Sequence, residues 1–284
     1  MSEAKITWIS GPVLRATTAD VFHLNEAVFV GANRLLGEVI RIEHNTIVAQ
    51  AYEDTSGLRP GDVVHGNGMP LSVKLGPALL GNIFDGLLRP LTRELGDYVK
   101  PGMQAAPPLT FEFAPSIEVG DVVRAGSKIG TATSPNGQSQ MVLVPPHING
   151  TVIDIVQCGS YDDEQTVCTI RDDGGNAHPL ALSQQWPIRE PRPVAQRLPT
   201  ARPLFTGQRI LDSIFPLACG GRAAMPGGFG TGKTVLQETL SKWCDADIIV
   251  YVGCGERGNE MAGVLHDLPA LEDPRTGRPL MERT

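Results

Sequence analysis

One eight-residue stretch, GGFGTGKT at 227–234, restricts what this chain can fold into more than any other. Its Gly227-x-x-x-x-Gly232-Lys233-Thr234 spacing is that of a phosphate-gripping loop, which requires a strand leading in and a helix leading out. The neighbouring residues supply that setting. RAAMPG reads as a short strand, GKTVLQETLSKWC as an amphipathic helix and ADIIVYVGCG as a buried strand, while QRILDSIF upstream also has helical spacing. Strand, loop, helix, strand is the opening of an α/β layer. Glycines at 227, 228, 230 and 232 free the backbone to turn successive N–H groups inward, forming a concave anion site at the positive end of the helix. Lys233 can then reach the β- and γ-phosphates and the Thr234 hydroxyl can ligate magnesium, so ATP or ADP with Mg2+ is the expected ligand.

Hydrolysis would need two further groups, a carboxylate to orient the attacking water and a cation to meet the charge developing on the phosphoryl oxygens. Glu256 and Arg257, in YVGCGERGNE directly after the second predicted strand, are the candidates. Loops at the carboxyl ends of parallel strands line the ligand crevice of open α/β sheets, which would aim Glu256 at the γ-phosphate. By spacing alone, a Glu-Arg pair after a strand is also compatible with a solvated loop.

The chain ahead of this layer has a different character. Residues 1–70 alternate short β-branched runs with turn signals, and LLGEVIRI and TIVAQAY, joined by EHN, read as a hairpin, so a small β-barrel or sandwich is expected. LGPALLGNIFDGLLRPL, inside a connector over 71–109, suits a packed linker carrying a helical turn or two. A second β-rich unit follows at 110–185, with Gly-Asp and Gly where short strands must reverse, and residues 186–284 hold the P-loop part. With 32 Gly and 23 Pro among 284 residues, long helices should be scarce.

Charge and apolar patterning exclude several classes. A net charge of −7, with no Lys/Arg cluster to break it, leaves no electrostatic footprint for nucleic acid. No window approaches the roughly 18 uninterrupted apolar residues of a membrane helix, and MSEAKITWIS has no signal-peptide pattern, so a cytoplasmic, non-inserted protein is expected. Cys158, Cys168, Cys219, Cys244 and Cys254 have no paired CxxC spacing and are expected to be free thiols.

The second β unit resembles the biotinyl/lipoyl-type barrel sandwich, in which a G-D-x-V-x-x-G-x-x-I-G half faces a P-x-x-x-G-x-V half. VGDVVRAGSKIGTA and VPPHINGTVIDIV supply the two halves. The intervening TATSPNGQSQMVLVPP has no lysine to carry a cofactor in amide linkage, so the resemblance implies the fold without covalent carriage.

GGFGTGKTVLQETLSKWCDADIIVYVGCGERGNEM resembles the catalytic A subunits of the V/A-type rotary ATPases, and the resemblance extends along the chain through GPV, NIFDGLLRPL, WPIREPRP, PLFTGQRILDSIFP and EDPRTGRPLMERT. It implies a multidomain fold: an N-terminal β-barrel, a barrel-sandwich-like bulge domain and the first part of a P-loop nucleotide domain. By that resemblance Gly227, Gly228, Phe229, Gly230, Thr231, Gly232, Lys233, Thr234 and Val235 surround the nucleotide, Thr234 touches magnesium, Glu256 activates water and Arg257 lies near the γ-phosphate. The implied partners are noncatalytic B subunits in an alternating ring, one supplying an arginine finger, a central shaft, and a membrane sector that moves protons or sodium. The complex would sit on the cytosolic side of a membrane. Family loops commonly read Gly-Pro-Phe, whereas Gly228 stands at the proline position here. Some members carry a cysteine where Thr231 stands, so redox silencing is not implied.

A nucleotide domain of this family continues with further strands, one ending in a magnesium-holding Asp, and then a helical domain. VLHDLP, with a short apolar run before Asp267, is the nearest match here, which implies an incomplete nucleotide domain over 186–284. Two or three parallel strands would leave apolar faces and an open edge uncovered. The contrasting possibility is a truncated, noncatalytic assembly module with weak or no nucleotide turnover. A secretion- or flagellar-type P-loop ATPase is disfavoured by the unit at 110–182.

Overall fold

The computed structural model describes residues 2–91, 99–103, 109–134, 137–192, 194, 196–228, 230–256 and 258–284, excluding the side chains of 259 and 260. The chain divides into two compact units: one comprises 1–77, 83–135 and 139–192, the other 78–82, 136–138 and 193–284.

The first unit begins with a closed six-stranded barrel in the order β1-β2-β5-β4-β3-β6. Its strands are β1 (Glu3–Ser10), β2 (Val13–Thr17), β3 (Glu26–Val30), β4 (Leu35–Glu43), β5 (Thr46–Ala51) and β6 (Val63–Pro70). The expected hairpin is β4–β5, with Glu43 paired to Thr46 and His44 at φ 51° in the turn. Closure follows from β1 pairing with both β2 and β6, which removes the open edges that a flat six-stranded sheet would expose. Inward positions combine bulky and small residues, Ile6, Leu14, Val28, Val39 and Ile47 with Ala4, Ala16 and Ala49, which suits a narrow interior.

Two carboxylates are built into the barrel. Glu26 accepts the amides of His23 and Gly68, both at 2.8 Å. Glu38 accepts the Tyr52 hydroxyl at 2.8 Å and, in a bidentate arrangement, the Nε and Nη2 of Arg189, 151 positions along the chain. The Arg189 hydrogen bond, opposed by burial and aided by Tyr52, holds the Glu38 carboxyl below its ordinary value of 4.5.

Residues 75–91 of the connector do not form the expected helical turns. Asp85 instead accepts the amides of Leu87 and Arg89 at 3.0 and 2.8 Å, closing a compact turn with Leu88 at φ 59°. Gly81, Gly86 and Pro90 weaken any helix there, and an aspartate that bonds the following backbone favours a turn over a helix interior. Arg89 fixes the turn by reaching Asp85 and Glu53, each at 2.6 Å. Ahead of the turn, β7 (Ser72–Leu75) pairs antiparallel with β16 (Gln184–Pro187), so the strand entering the connector lies beside the strand leaving the second β region.

That second region is a sandwich of two four-stranded sheets, β11-β10-β8-β13 and β15-β14-β12-β9. The first contains β8 (Thr110–Pro115), β10 (Lys128–Thr133), β11 (Ser139–Leu143) and β13 (Gly159–Asp162). The second contains β9 (Val122–Val123), β12 (Gly150–Ile155), β14 (Thr166–Arg171) and β15 (Ala177–Ala181). Phe113 is fully buried and meets Tyr161 edge-on with ring centroids 6.4 Å apart. Only glycine fits at 130, because a Cβ there would lie 2.3 Å from the Phe113 ring. All five cysteines are free, and burial, with a contribution from the Asp154 charge, lifts the Cys168 thiol to about 11.

Arg189→Met is expected to lower the urea midpoint of the full chain at pH 7. Its deficit narrows below about pH 4.5, because the stabilisation from a depressed carboxyl is present above its unfolded value and fades as pH falls through the folded one. At pH 8 a thiol reagent should label exposed Cys158 and Cys254 at once and Cys168 only upon unfolding.

Candidate functional site

The second unit is built around one helix. It contains β17 (Pro203–Leu204) paired with β18 (Leu217–Ala218), and the helices α1 (Arg209–Ile214), α2 (Lys233–Trp243) and α3 (Gly258–Asp267). The helices predicted from QRILDSIF and GKTVLQETLSKWC are therefore α1 and α2. Asp212 of α1 accepts the Thr206 amide and hydroxyl at 2.9 and 2.7 Å, tying the helix to the residues that lead into it.

Residues 227–234 lead directly into α2. Gly232 is the N-cap at φ 79° and ψ 18°, a left-handed conformation that glycine adopts without penalty, and Gly230 is also left-handed at φ 73°. Among the described residues no side chain caps the helix, so its first-turn amides have no side-chain acceptor there, at the point where the helix dipole is positive. Lys233 and Thr234 are its first two residues, both partly buried, and Val235 is exposed. Lys233 Nζ donates to Gly227 O and, at 3.2 Å, to Gly228 O, while Thr231 Oγ1 donates to Gly228 O at 2.9 Å. Phe229 and Arg257 lie outside the described residues.

The amides at the start of α2 are of the kind that suits an anion, while the Lys233 ammonium is turned toward the carbonyls of Gly227 and Gly228. Among the described residues no group of three or more His, Cys, Asp or Glu could hold a metal ion.

Among the described residues, two expected strands do not form. Neither RAAMPG nor ADIIVYV joins a ladder, so the strand that was to carry Glu256 beside the loop is missing, and Glu256 is exposed in the turn before α3. Residues 248–252 nevertheless alternate as a strand does. Ile249 and Tyr251 pack on Val264, Leu268, Leu280 and Met281, whereas Ile248, Val250 and Val252 are 58%, 81% and 75% exposed. An apolar run of this kind suits a strand covered on both faces, and here one face is covered. Without neighbouring strands to supply ladder hydrogen bonds, the segment remains extended and outside any sheet.

Arg283, to which the sequence alone assigns no role, supports the far end of α2. Buried near the end of PLMERT, it donates to Lys242 O at 3.1 Å and Ala246 O at 2.9 Å and pairs with Asp273 at 2.9 Å. It meets carbonyls that a helix C-terminus leaves without partners and adds a cation at the negative end of the dipole. Arg283→Met should lower the stability of the second unit by about 1–3 kcal/mol and speed amide exchange in the last turn of α2, read by mass spectrometry.

Three family models match consecutive parts of the chain. The ATP synthase alpha/beta family beta-barrel domain covers residues 6–68, the ATPsynthase alpha/beta subunit barrel-sandwich domain covers 107–189, and the ATP synthase alpha/beta family nucleotide-binding domain covers 207–284. The V-type ATP synthase alpha chain of Halothermothrix orenii is 46% identical over 99% of this chain and 49% of its own length. The A subunit of the A-type ATP synthase of Methanopyrus kandleri is 47% identical over 99% of this chain and 49% of its own, and that of Methanoculleus marisnigri 49% identical over 97% and 47%. The chain thus spans about half the length of these curated relatives. The assembled ATPase EscN of the enteropathogenic E. coli type III secretion system aligns over 97% of this chain and 46% of its own, with a TM-score of 0.55 at 20% identity, a likeness of fold.

Proposed function

This chain belongs to the ATP synthase alpha/beta family, among its V/A-type A (alpha) subunits, and from that premise we propose that residues 227–235 bind Mg-ATP or Mg-ADP. The observation that carries the reading is the start of α2, whose first residues are Lys233 and Thr234 and whose N-cap, Gly232, is left-handed and makes no side-chain cap hydrogen bond.

The residue roles follow from chemistry. The amides of 230–235 and the Lys233 ammonium hold the β- and γ-phosphates, and the Thr234 hydroxyl takes one position on the magnesium ion. Magnesium supplies charge neutralisation between phosphate oxygens. Glu256 orients the attacking water and Arg257 steadies charge near the γ-phosphate, both acting once the 246–252 segment is paired as a strand. In the whole protein this site would lie in a ring alternating with B subunits, coupled through a central shaft to proton or sodium movement in a membrane sector. No helix among the described residues is long and apolar enough to cross a membrane, which suits a protein held at the membrane through its partners.

A second reading, an assembly module with little turnover, draws on a specific observation: the strand needed to place Glu256 is outside any sheet and half uncovered. Calorimetric titration of the full chain separates the two. Mg-ATP binds the wild type, and Lys233→Ala weakens binding about 10- to 150-fold, the worth of a charged hydrogen bond. Phosphate release, followed in the same samples, should stay at background. Equal affinities of the two proteins would refute the phosphate-loop reading, and sustained release by the wild type would refute the assembly-module reading.

A further inference from the structure

Lys74 carries its ammonium between two carboxylates. Its Nζ lies 2.7 Å from Asp163 Oδ2 and 2.7 Å from Glu164 Oε1, and the Asp163 side chain is only 3% exposed. The second Asp163 oxygen, Oδ1, is buried with no hydrogen-bond partner among the described residues. A buried carboxylate with an unmet oxygen is a costly anion, and a neutral amide in its place removes both charges of the pair at once. The backbones on either side are fixed. Asp163 donates its amide to Leu109 O at 3.0 Å, and its carbonyl accepts the amide and hydroxyl of Ser183 at 2.9 and 2.7 Å. Lys74 sits in β7 opposite Gln185 of β16, just beyond that serine. Amine and carboxyl are thus held together at high effective concentration, which makes their condensation an intramolecular step.

We propose that Lys74 and Asp163 condense into an intramolecular isopeptide bond, with Glu164 carrying the protons. Burial opposes the Lys74 charge and the hydrogen bonds to Asp163 and Glu164 favour it, so the ammonium ends above its ordinary 10.5 and the resting pair is ionic. The reaction therefore begins with one ammonium proton passing to Asp163 Oδ2, which leaves an amine beside a neutral carboxyl. As Nζ bonds to Cγ, Glu164 takes a second proton from the nitrogen. It returns that proton to the departing hydroxyl as the Cγ–Oδ2 bond breaks. One ammonium and one carboxylate become one amide and one water, with no change in oxidation state and with Glu164 regenerated. The Glu164 side chain is 68% exposed, which opens a path for the water. The bond closes the chain covalently between the strand entering the connector and the turn from β13 to β14.

The test is the intact mass of the full wild-type chain, incubated folded and then denatured, beside Lys74→Arg and Glu164→Gln. The wild type should be lighter than its sequence by one water, and digestion should yield a branched peptide containing both Lys74 and Asp163. Lys74→Arg, which keeps the positive charge but not the amine, should stay at its full mass. Glu164→Gln should form the bond about 100-fold more slowly, the worth of a positioned acid–base group. A wild type that is folded by circular dichroism and stays at its full sequence mass overturns the proposal, as does a water loss that persists in Lys74→Arg. Bond formation as fast in Glu164→Gln as in the wild type overturns the role of Glu164.

Discussion

The bidentate contact between Glu38 and Arg189 is the interaction on which the larger unit depends. A carboxylate only 1% exposed is costly unless its oxygens are met, and here Tyr52 and the Arg189 guanidinium meet them. The cation comes from just beyond β16, whose ladder with β7 already joins the strand entering the connector to the strand leaving the sandwich. The Lys74 ammonium, between Asp163 and Glu164 at 2.7 Å each, adds a second tie of the same kind. Barrel and sandwich each have their own strand ladders; paired charges fasten the segments between them.

The smaller unit follows another rule. Its organising element is α2, whose two ends are treated in opposite ways. At the C-terminus Arg283 supplies donors to carbonyls left over by the helix. At the N-terminus no side chain among the described residues supplies an acceptor to the amides, and Gly230 and Gly232 are left-handed. A helix start without a side-chain cap gives up a fraction of a kilocalorie to a few kilocalories of stability, and the same groups are then free for an anion.

The sequence by itself determined the barrel hairpin, the two halves of the sandwich, the family, and the loop-to-helix junction at Lys233. Each is local: alternation with period two, turn residues at reversals, and glycines spaced before a Lys-Thr pair leave few alternatives within a short window. Tertiary structure decided the rest. It turned the connector at Asp85 instead of coiling it into a helix, because side-chain acceptors competed with the helix backbone. It also brought Arg189 to Glu38 and Arg283 to the end of α2, pairings that distance in sequence conceals. The segment 246–252 shows the dividing line most clearly. Its alternation is written in the residues, but a strand exists only when a neighbour offers its hydrogen bonds, and among the described residues no strand pairs with this segment.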